Sequence, residues 1–223
     1  MTSKTRNRKR QAILDTAIQV FREMGFHNAS MNIIAARVGG SKSTLYNHFP
    51  SKEAIFLEIV RNIAQVQTLD TSPMIDPNMT VLTEDTRKRV QALFQALQEP
   101  PGDVRMTLLF YGENFITFLY TPEILAIRRL LFAESRQSEI GRTYYENGPK
   151  RSLARLAAYL ESAMATDQLK NADPLVAAAQ FRSLLEAECH EYYFLEVEKP
   201  LPKERITQMV EAAVDVFMAA YGK

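Results

Sequence analysis

Apolar residues recur every three or four positions along most of the chain, which is the spacing of amphipathic helices. In the first such stretch the repeat contains Ile13, Ala17, Phe21 and Met24, and Gly25 is expected to stop the helix. No stretch alternates apolar and polar residues as a half-buried strand would. The pattern therefore predicts an all-α protein.

Residues 30–67 are predicted to hold three short helices separated by clear stop signals. A serine that can cap a helix N-terminus precedes each of them: Ser30, Ser41 and Ser51. The breaks between them fall at residues that disfavour a continuing helix: Gly39, Gly40 and Pro50. The three helices are expected over about 31–38, 42–49 and 52–67.

Longer helices are predicted in the rest of the chain. Their expected ranges are 83–98, 103–120, 122–147 (with a break near Ser138), 150–166, 173–196 and 203–221. Residues 68–82 contain two prolines and several short polar residues, which is typical of a linker. We therefore expect two domains, a basic arm with three helices in 1–52 and a helical domain in 68–223, connected by the helix 52–67.

Charge is distributed unevenly between these domains. Residues 1–61 carry ten Lys/Arg against four Asp/Glu, whereas residues 62–223 carry 17 against 22. This asymmetry indicates that the first domain alone binds a polyanion. No apolar run approaches the roughly 18 residues of a membrane span, and the one cysteine fits a reducing compartment. A cytoplasmic protein with no membrane partner is predicted.

The sequence lacks the common motifs of enzyme active sites. It contains no glycine-rich phosphate loop, no Gly-x-Ser-x-Gly and no His-Glu-x-x-His. One cysteine, Cys189, and three histidines lack the spacing of a metal site. We therefore predict no enzyme activity, no cofactor and no metal.

The second and third helices, joined by a glycine turn, have the layout of a helix-turn-helix, whose second helix enters the DNA major groove. That helix is rich in hydrogen-bond donors, and Leu45 and Phe49 are expected to face inward. The groove-facing residues are predicted to be Lys42, Ser43, Thr44, Asn47 and Tyr46. Lys42 can reach a guanine edge or a phosphate, and Asn47 can bind an adenine through two hydrogen bonds.

Phosphate contacts are predicted on both flanks of this helix. Thr44, Tyr46 and His48 can hydrogen-bond phosphates. The start of the preceding helix, at Ser30, Met31 and Asn32, and the start of the fourth, at Lys52, can do the same. The basic arm consists of Lys4, Arg6, Arg8, Lys9 and Arg10. It either follows the DNA or is a disordered, solubilising end.

Residues 10–60 resemble the N-terminal domain of the TetR (tetracycline repressor) family of bacterial transcriptional regulators. The most specific matching run is Thr-Leu-Tyr-Asn-His-Phe-Pro-Ser-Lys-Glu, at 44–53. Gly40 departs from the family, which usually has an apolar residue there that packs between helices two and three. The C-terminal part resembles the AcrR/AefR-type subgroup around 144–156. The resemblance implies a homodimer that binds double-stranded DNA at a palindromic operator and responds to a small-molecule effector.

Two sets of C-terminal residues are candidates for these partners. The apolar stripes of the last two helices predict a dimer interface at Phe181, Leu184, Leu185, Tyr192, Met209, Val210, Ala213 and Phe217, although they could equally close the protomer's own core. An effector pocket is predicted at Phe110, Asn114, Phe118, Phe132, Met164, Glu186 and His190, and the alternative is core packing with structural ion pairs.

Helix 103–120 is apolar nearly all round, so Glu113 inside it needs a partner, expected to be Arg128 or Arg129.

The combined prediction is a ligand-responsive, DNA-binding transcriptional repressor. Two alternatives stay open at this point. One is an activator or DNA-binding relative without a small-molecule inducer. The other is an all-helical interaction module whose basic end binds a protein or a membrane.

Overall fold

The computed structural model describes residues 3–66, 84–98, 102–134, 138–191, 195 and 201–223. These residues contain one isolated bridge between Leu169 and Gly222, a short helical stretch at His190 and Glu191, and the helices named below. They are α1 (Ser3–Asn28), α2 (Met31–Val38), α3 (Lys42–His48), α4 (Lys52–Val66), α5 (Glu84–Ala96), α6 (Val104–Leu119), α7 (Pro122–Glu134), α8 (Ser138–Asn147), α9 (Pro149–Ala165), α10 (Pro174–Glu186) and α11 (Lys203–Tyr221). The all-α prediction is confirmed. The predicted linker at 68–82 lies outside the described residues.

Helix α1 begins at Ser3, so the basic residues expected to form an arm belong to the helix instead. No Gly or Pro occurs before Gly25, and Lys, Arg, Gln and Ala all favour helix. Gly25 has φ 74° and ψ 162°, which breaks the helical geometry before a last turn to Asn28. The predicted stop is therefore confirmed as a kink.

The predicted serine caps of α2, α3 and α4 are all formed. Each serine Oγ accepts from the backbone N–H three residues on, at 3.2–3.3 Å: Ser30 from Ile33, Ser41 from Thr44 and Ser51 from Ala54. Such a cap satisfies an N–H that has no partner within the helix. Helix α2 ends at Gly39, whose φ of 70° lies in the left-handed region that glycine adopts without strain.

An aromatic cluster forms the core of the head, the name used here for α1–α4. The rings of Phe21, Phe26 and Phe56 have centroids 5.2–5.9 Å apart. Leu45 and Phe49 are each 2% exposed, so α3 packs through the face expected from its sequence. Anchoring that face fixes which side chains of α3 point away from the protein.

Helix α6 is the centre of the body, the name used here for α5–α11. It contacts α5, α7, α10 and α11. A Cβ at Gly112 would lie 2.6 Å from Val210 Cγ1 and 2.8 Å from Leu185 Cδ2, so this glycine allows α10 and α11 to approach α6 closely. Tyr111, beside it, is fully buried and stacks on Phe115 with the ring centroids 5.5 Å apart.

Two expectations about α6 were wrong. The helix is not buried all round, because Met106 and Phe110 are 59% and 43% exposed. Glu113 does not pair with Arg128 or Arg129. Its carboxylate instead accepts a hydrogen bond from the Thr207 hydroxyl at 2.7 Å, since α11 packs against this side of α6.

The apolar stripes of α10 and α11 are used inside the protomer. The fully buried side chains among the candidate dimer residues are Phe181, Leu185, Met209, Val210, Ala213 and Phe217. Of the other two candidates, Leu184 is partly buried and Tyr192 lies outside the described residues. These six side chains are buried within the protomer, where α10 packs on α9 and α11, and α11 packs on α6, which is the alternative considered above.

Head and body touch directly, and not only through α4. Helix α1 contacts α7, and α4 contacts α8. A small crevice lies at this junction, lined from the head by Ile18, Phe21, Arg22, Phe56 and Ile59 and from the body by Ala126, Ile127 and Leu130. A shift of α7 or α8 would therefore act on the head.

The break predicted near Ser138 is confirmed, because α7 ends at Glu134 and α8 begins at Ser138. One predicted helix limit needs adjusting. The helix expected over 173–196 ends at Glu186 and gives way to a turn. Among the described residues, no helix combines the length and the apolar character that crossing a bilayer requires.

Candidate nucleic-acid interface

Helix α3 presents hydrogen-bond donors to solvent and contains no acidic residue. Lys42, Ser43 and Asn47 are exposed, and Tyr46 is 45% exposed. Thr44 is half-buried. The structure therefore brings the predicted groove-facing residues to one outer surface of the head, where they can reach base edges and phosphates.

Hydroxyl groups are tied together at the start of α3. Ser41 Oγ lies 2.9 Å from Ser43 Oγ and 2.8 Å from Thr44 Oγ1, in addition to capping the helix. The Lys42 ammonium lies 5.9 Å from the centroid of the Tyr46 ring, one turn further along. The N-terminal turn of α3 is thus a connected polar surface rather than a set of independent side chains.

Arg10 fixes the other end of α3, a role that the sequence did not reveal. Its Nη1 donates to the His48 carbonyl at 3.0 Å, and its guanidinium lies 4.2 Å from the centroid of the Phe49 ring. Arg10 also forms an ion pair with Glu58 of α4 at 2.9 Å. Because these contacts join α1, α3 and α4, Arg10 is a structural residue and not part of a free arm.

The start of α2 supplies the second predicted phosphate site. Ser30 caps the helix, and Asn32 is exposed beside it. The first amides of a helix have no acceptor within it, so those of Met31 and Asn32 point toward any phosphate docked there. The Met31 side chain, 8% exposed, packs in the core, so only its backbone is available.

Lys52 has a different role from the one predicted. Its ammonium donates to the carbonyls of Phe26, His27 and Ala29 at 2.7, 3.2 and 3.1 Å, and it lies 4.6 Å from the centroid of the Phe26 ring. An ammonium has three N–H donors, and these contacts use all three. The carbonyls at the end of α1 attract a cation, so Lys52 joins α1 to α4 rather than presenting its charge to DNA.

Gly40 needs no special backbone conformation, unlike its neighbour. Its φ is not positive, and a Cβ built on it would meet no atom within 4 Å. Gly40 also lines a small crevice between α1, α2 and α3, together with Lys9, Ile13, Ala35, Val38, Ser41, Thr44 and Leu45. The departure from the family pattern at Gly40 therefore does not distort the turn.

Replacing Gly40 with alanine should raise the free energy of unfolding by about 0.4–1 kcal/mol, because the unfolded chain loses more freedom than the native turn. Gly39→Ala is the matched control. Its φ of 70° strains any side chain, so it should destabilise the protein. Urea denaturation of the two variants checks this, and equal effects at both positions would contradict the difference in backbone conformation between Gly39 and Gly40.

Two parts of the chain match known families. Residues 13–59 match the bacterial regulatory proteins of the tetR family. Residues 106–223, more than half of the chain, match the C-terminal domain of AefR-like transcriptional repressors.

The chain belongs to the TetR family.

Relatives of this TetR-family chain extend the match. RutR of Escherichia coli K12, an HTH-type transcriptional regulator, is 40% identical over 58 residues, which are 26% of this chain and 27% of RutR. The flavonoid-responsive regulator FrrA is 29% identical in a solved structure, covering 97% of this chain and 98% of FrrA, with a TM-score of 0.66. A structure from Mesorhizobium loti MAFF303099 assigned to the same family is 25% identical over both whole chains, with a TM-score of 0.79. The chain spans only about a quarter of the length of RutR, and its two matched parts are those of TetR-family transcriptional regulators.

The AefR-like part of this TetR-family regulator contains a polar cluster that joins α7 to α10. Glu186 Oε1 accepts from Arg128 Nη2 and from the Tyr120 hydroxyl, both at 2.9 Å, and it lies 3.8 Å from His190 Nδ1. Burial by itself would raise the pKa of Glu186, but the charge and hydrogen bond of Arg128 and the Tyr120 hydrogen bond outweigh it, so its pKa is lowered. Glu186 is therefore an ionised carboxylate held by a buried guanidinium.

The candidate effector residues do not form one group in this TetR-family structure. Glu186 and His190 lie together, and the Asn114 side chain donates to the Phe110 carbonyl at 2.8 Å on the same helix. Phe118 is buried and Met164 is partly buried, whereas Phe132 is 60% exposed.

Cys189 lies next to Glu186, with its Sγ 3.7 Å from the Glu186 carbonyl. Burial raises the pKa of the Cys189 thiol to about 11, which makes that thiol unreactive at neutral pH.

Proposed function

We propose that this protein is a transcriptional repressor that binds a palindromic operator as a homodimer and is released by a small-molecule effector. One observation carries the proposal, namely the outward, acid-free and donor-rich surface of α3. The helix is anchored on its other side by Leu45 and Phe49, so it is presented as a rigid reading element. In this proposal residues 1–52 read the DNA in the cytoplasm, α4 connects, and residues 68–223 bind the effector and the second copy.

The outer faces of α10 and α11 support a dimer. Their inner faces are used in the core, but Leu175, Val176 and Val216 remain 49–54% exposed. Exposed apolar side chains on two neighbouring helices are suited to pack against a copy of themselves around a two-fold axis. Two heads related by that axis would require an inverted repeat in the DNA.

The contacts between head and body support control by an effector. A ligand that binds one arrangement of α7 and α8 more tightly must change the affinity of the head for DNA by the same coupling free energy, about 1–3 kcal/mol in typical cases. FrrA responds to flavonoids, and the present chain shares 29% identity with it. We therefore propose an aromatic, largely apolar effector.

Selection from a pool of random duplexes tests the DNA part of this proposal. The recovered sequences should contain an inverted repeat, because two identical heads read it. Recovery of direct repeats, or of no common sequence, would contradict the homodimeric repressor.

Thermal denaturation with a panel of flavonoids and other aromatic compounds tests the effector part. A ligand that binds only the native state raises the free energy of unfolding, and therefore Tm, by mass action. At a ligand concentration of 100 times Kd the free energy of unfolding rises by about 2.7 kcal/mol. The same compound should displace the protein from the recovered operator in a gel-shift assay. A compound that raises Tm but leaves the operator complex intact would show binding without regulation.

A further inference from the structure

We propose that Arg10 locks the reading helix α3 to α4, so that the orientation of α3 follows that of α4. Arg10 is then a positioning residue, which acts on DNA recognition through α3 and not by contact with the DNA. The inference rests on the proposed DNA-binding function, and it names the link inside each head through which α4 acts on that function.

The guanidinium of Arg10 joins the two helices through one rigid group. On one side its Nη1 donates to the His48 carbonyl, at the end of α3, at 3.0 Å. On the other side its Nε and Nη2 lie 3.1 and 2.9 Å from Glu58 Oε1 on α4. A guanidinium is planar, and its nitrogens are fixed relative to one another. A movement of Glu58 therefore also changes the bond that Arg10 makes to α3.

The C-terminal turn of α3 is held by this contact. The last carbonyls of a helix have no partner within it, and they attract positive charge. Arg10 supplies both a donor and a charge to the His48 carbonyl. The same guanidinium lies 4.2 Å from the centroid of the ring of Phe49, the residue that ends α3 and is 2% exposed. Arg10 therefore fixes one end of a helix that is only seven residues long.

Lys52 fixes the start of α4 and makes it a pivot. Its ammonium donates to three carbonyls around the end of α1, at 2.7–3.2 Å. Glu58 lies six residues further along α4, roughly 9 Å along the helix axis at 1.5 Å per residue. Because the start of α4 is held, a tilt of this helix displaces Glu58 and, through Arg10, the end of α3. The connection at residues 49–51 alone would allow α4 to tilt without turning α3.

The same stretch of α4 carries contacts to the body. Helix α4 packs on α8. Phe56 and Ile59, on either side of Glu58 in the sequence, line the crevice between the head and α7. A change in the body that tilts α4 therefore acts on the stretch that holds Glu58, and the lock passes it to the reading helix.

Glu58→Ala tests the lock in DNA binding, with Glu23→Ala as the matched control. Each variant removes one negative charge and one ion pair from the head, but Glu23 pairs with Arg37 of α2. The lost charge alone should strengthen binding to every duplex alike. The measured quantity is the affinity for the selected palindrome divided by that for random duplex. The lock predicts that this ratio falls roughly 2- to 30-fold in Glu58→Ala and stays constant in Glu23→Ala. An unchanged ratio in Glu58→Ala would overturn the lock.

Arg10→Lys separates a lock from a direct phosphate contact. Lysine keeps the positive charge, and with it the attraction to a phosphate, but it replaces the planar fork with a single nitrogen. The lock predicts that the affinity ratio falls as it does in Glu58→Ala. The variant with both substitutions should lose no more than either single variant, because both act through one link. If Arg10→Lys kept the ratio of the unaltered chain, the charge of Arg10 alone would matter and the lock would be wrong.

Hydrogen exchange in the free protein tests the lock without DNA. The paired side chains of Arg10 and Glu58 are 37% and 28% exposed, so their ion pair contributes little to stability. Glu58→Ala should therefore stay folded, which circular dichroism establishes. The Phe49 amide donates to the Leu45 carbonyl at 2.9 Å, at the end of α3. We expect it to exchange several-fold faster in Glu58→Ala than in Glu23→Ala, and equal rates would overturn the lock.

The two assays distinguish failure of the lock from failure of the proposed function. If the unaltered chain showed no preference for any palindrome, the proposed DNA-reading function would be wrong. Hydrogen exchange at the end of α3 would still decide whether Arg10 and Glu58 lock that helix to α4, because it needs no DNA.

Discussion

Replacing Glu186 with alanine is expected to lower the free energy of unfolding by about 3 kcal/mol, because it removes the carboxylate that faces the buried guanidinium of Arg128. The Tyr120 hydroxyl loses its acceptor in the same variant. Urea denaturation at neutral pH measures the effect. Both partners are mostly buried, with side-chain exposures of 10% for Arg128 and 18% for Glu186, so solvent compensates little for the loss.

Glu188→Ala provides the matched control for this prediction. Glu188 forms an ion pair with Arg205 at 2.7 Å, but both side chains are nearly half exposed. Exposed pairs of this kind contribute about 0–1 kcal/mol. If Glu188→Ala destabilised the protein as much as Glu186→Ala, burial of the Arg128–Glu186 pair would not be the cause.

The same pair predicts an acid dependence. The pKa of Glu186 is lowered in the folded protein, so its ionised form stabilises the fold above the ordinary value of 4.5. That contribution is lost as the pH falls from 4.5 through the lowered folded pKa. Glu186→Gln should therefore lose less stability than the unaltered protein over this acidic range.

Truncating the reading residues is the second large effect, and it acts on DNA binding instead of stability. Asn47→Ala and Lys42→Ala should each weaken binding to the recovered operator by about 1–3 kcal/mol if the side chain contacts a base through two hydrogen bonds. In each variant, the affinity should also no longer depend on the identity of one base pair of the half-site. Affinities for a set of operators with single base-pair substitutions measure both changes.

The control for these variants removes an exposed charge elsewhere. Arg151→Ala, on α9, should change neither operator affinity nor base preference beyond a small electrostatic effect. If Asn47→Ala kept the full base preference of the unaltered protein, α3 would not read the DNA in the way proposed.

Local signals explain why the head was predicted well from the sequence. Serine caps, the glycine break after α2 and the proline after α3 each act within a few residues of their own position. The inward direction of Leu45 and Phe49 follows from helical spacing. These features need no knowledge of the tertiary fold, and the structure contains all of them.

Contacts between distant residues explain what the sequence could not reveal. The Lys52 side chain meets carbonyls 23–26 residues away, and Arg10 meets the end of α3 38 residues later. A lysine or arginine at such positions fits a DNA contact and a structural contact equally well. Only the packing of α1 against α3 and α4 separates the two.

The apolar stripes of α10 and α11 illustrate the same limit in the body. Periodicity shows that one face of a helix is buried, but it does not identify what covers that face. Here α9 covers much of the α10 face and α6 covers the α11 face, and Gly112 allows α10 and α11 to approach α6 closely. The exposed apolar side chains on these two helices are Leu175, Val176 and Val216.

The affinity of the full-length protein for a selected palindrome, divided by its affinity for random duplex at the same salt concentration, tests the central claim most directly. A sequence-reading TetR-family head predicts a ratio of about 10³ or more, and both affinities should fall linearly with salt on a log–log plot. A ratio near one at every salt concentration would contradict a reading role for α3.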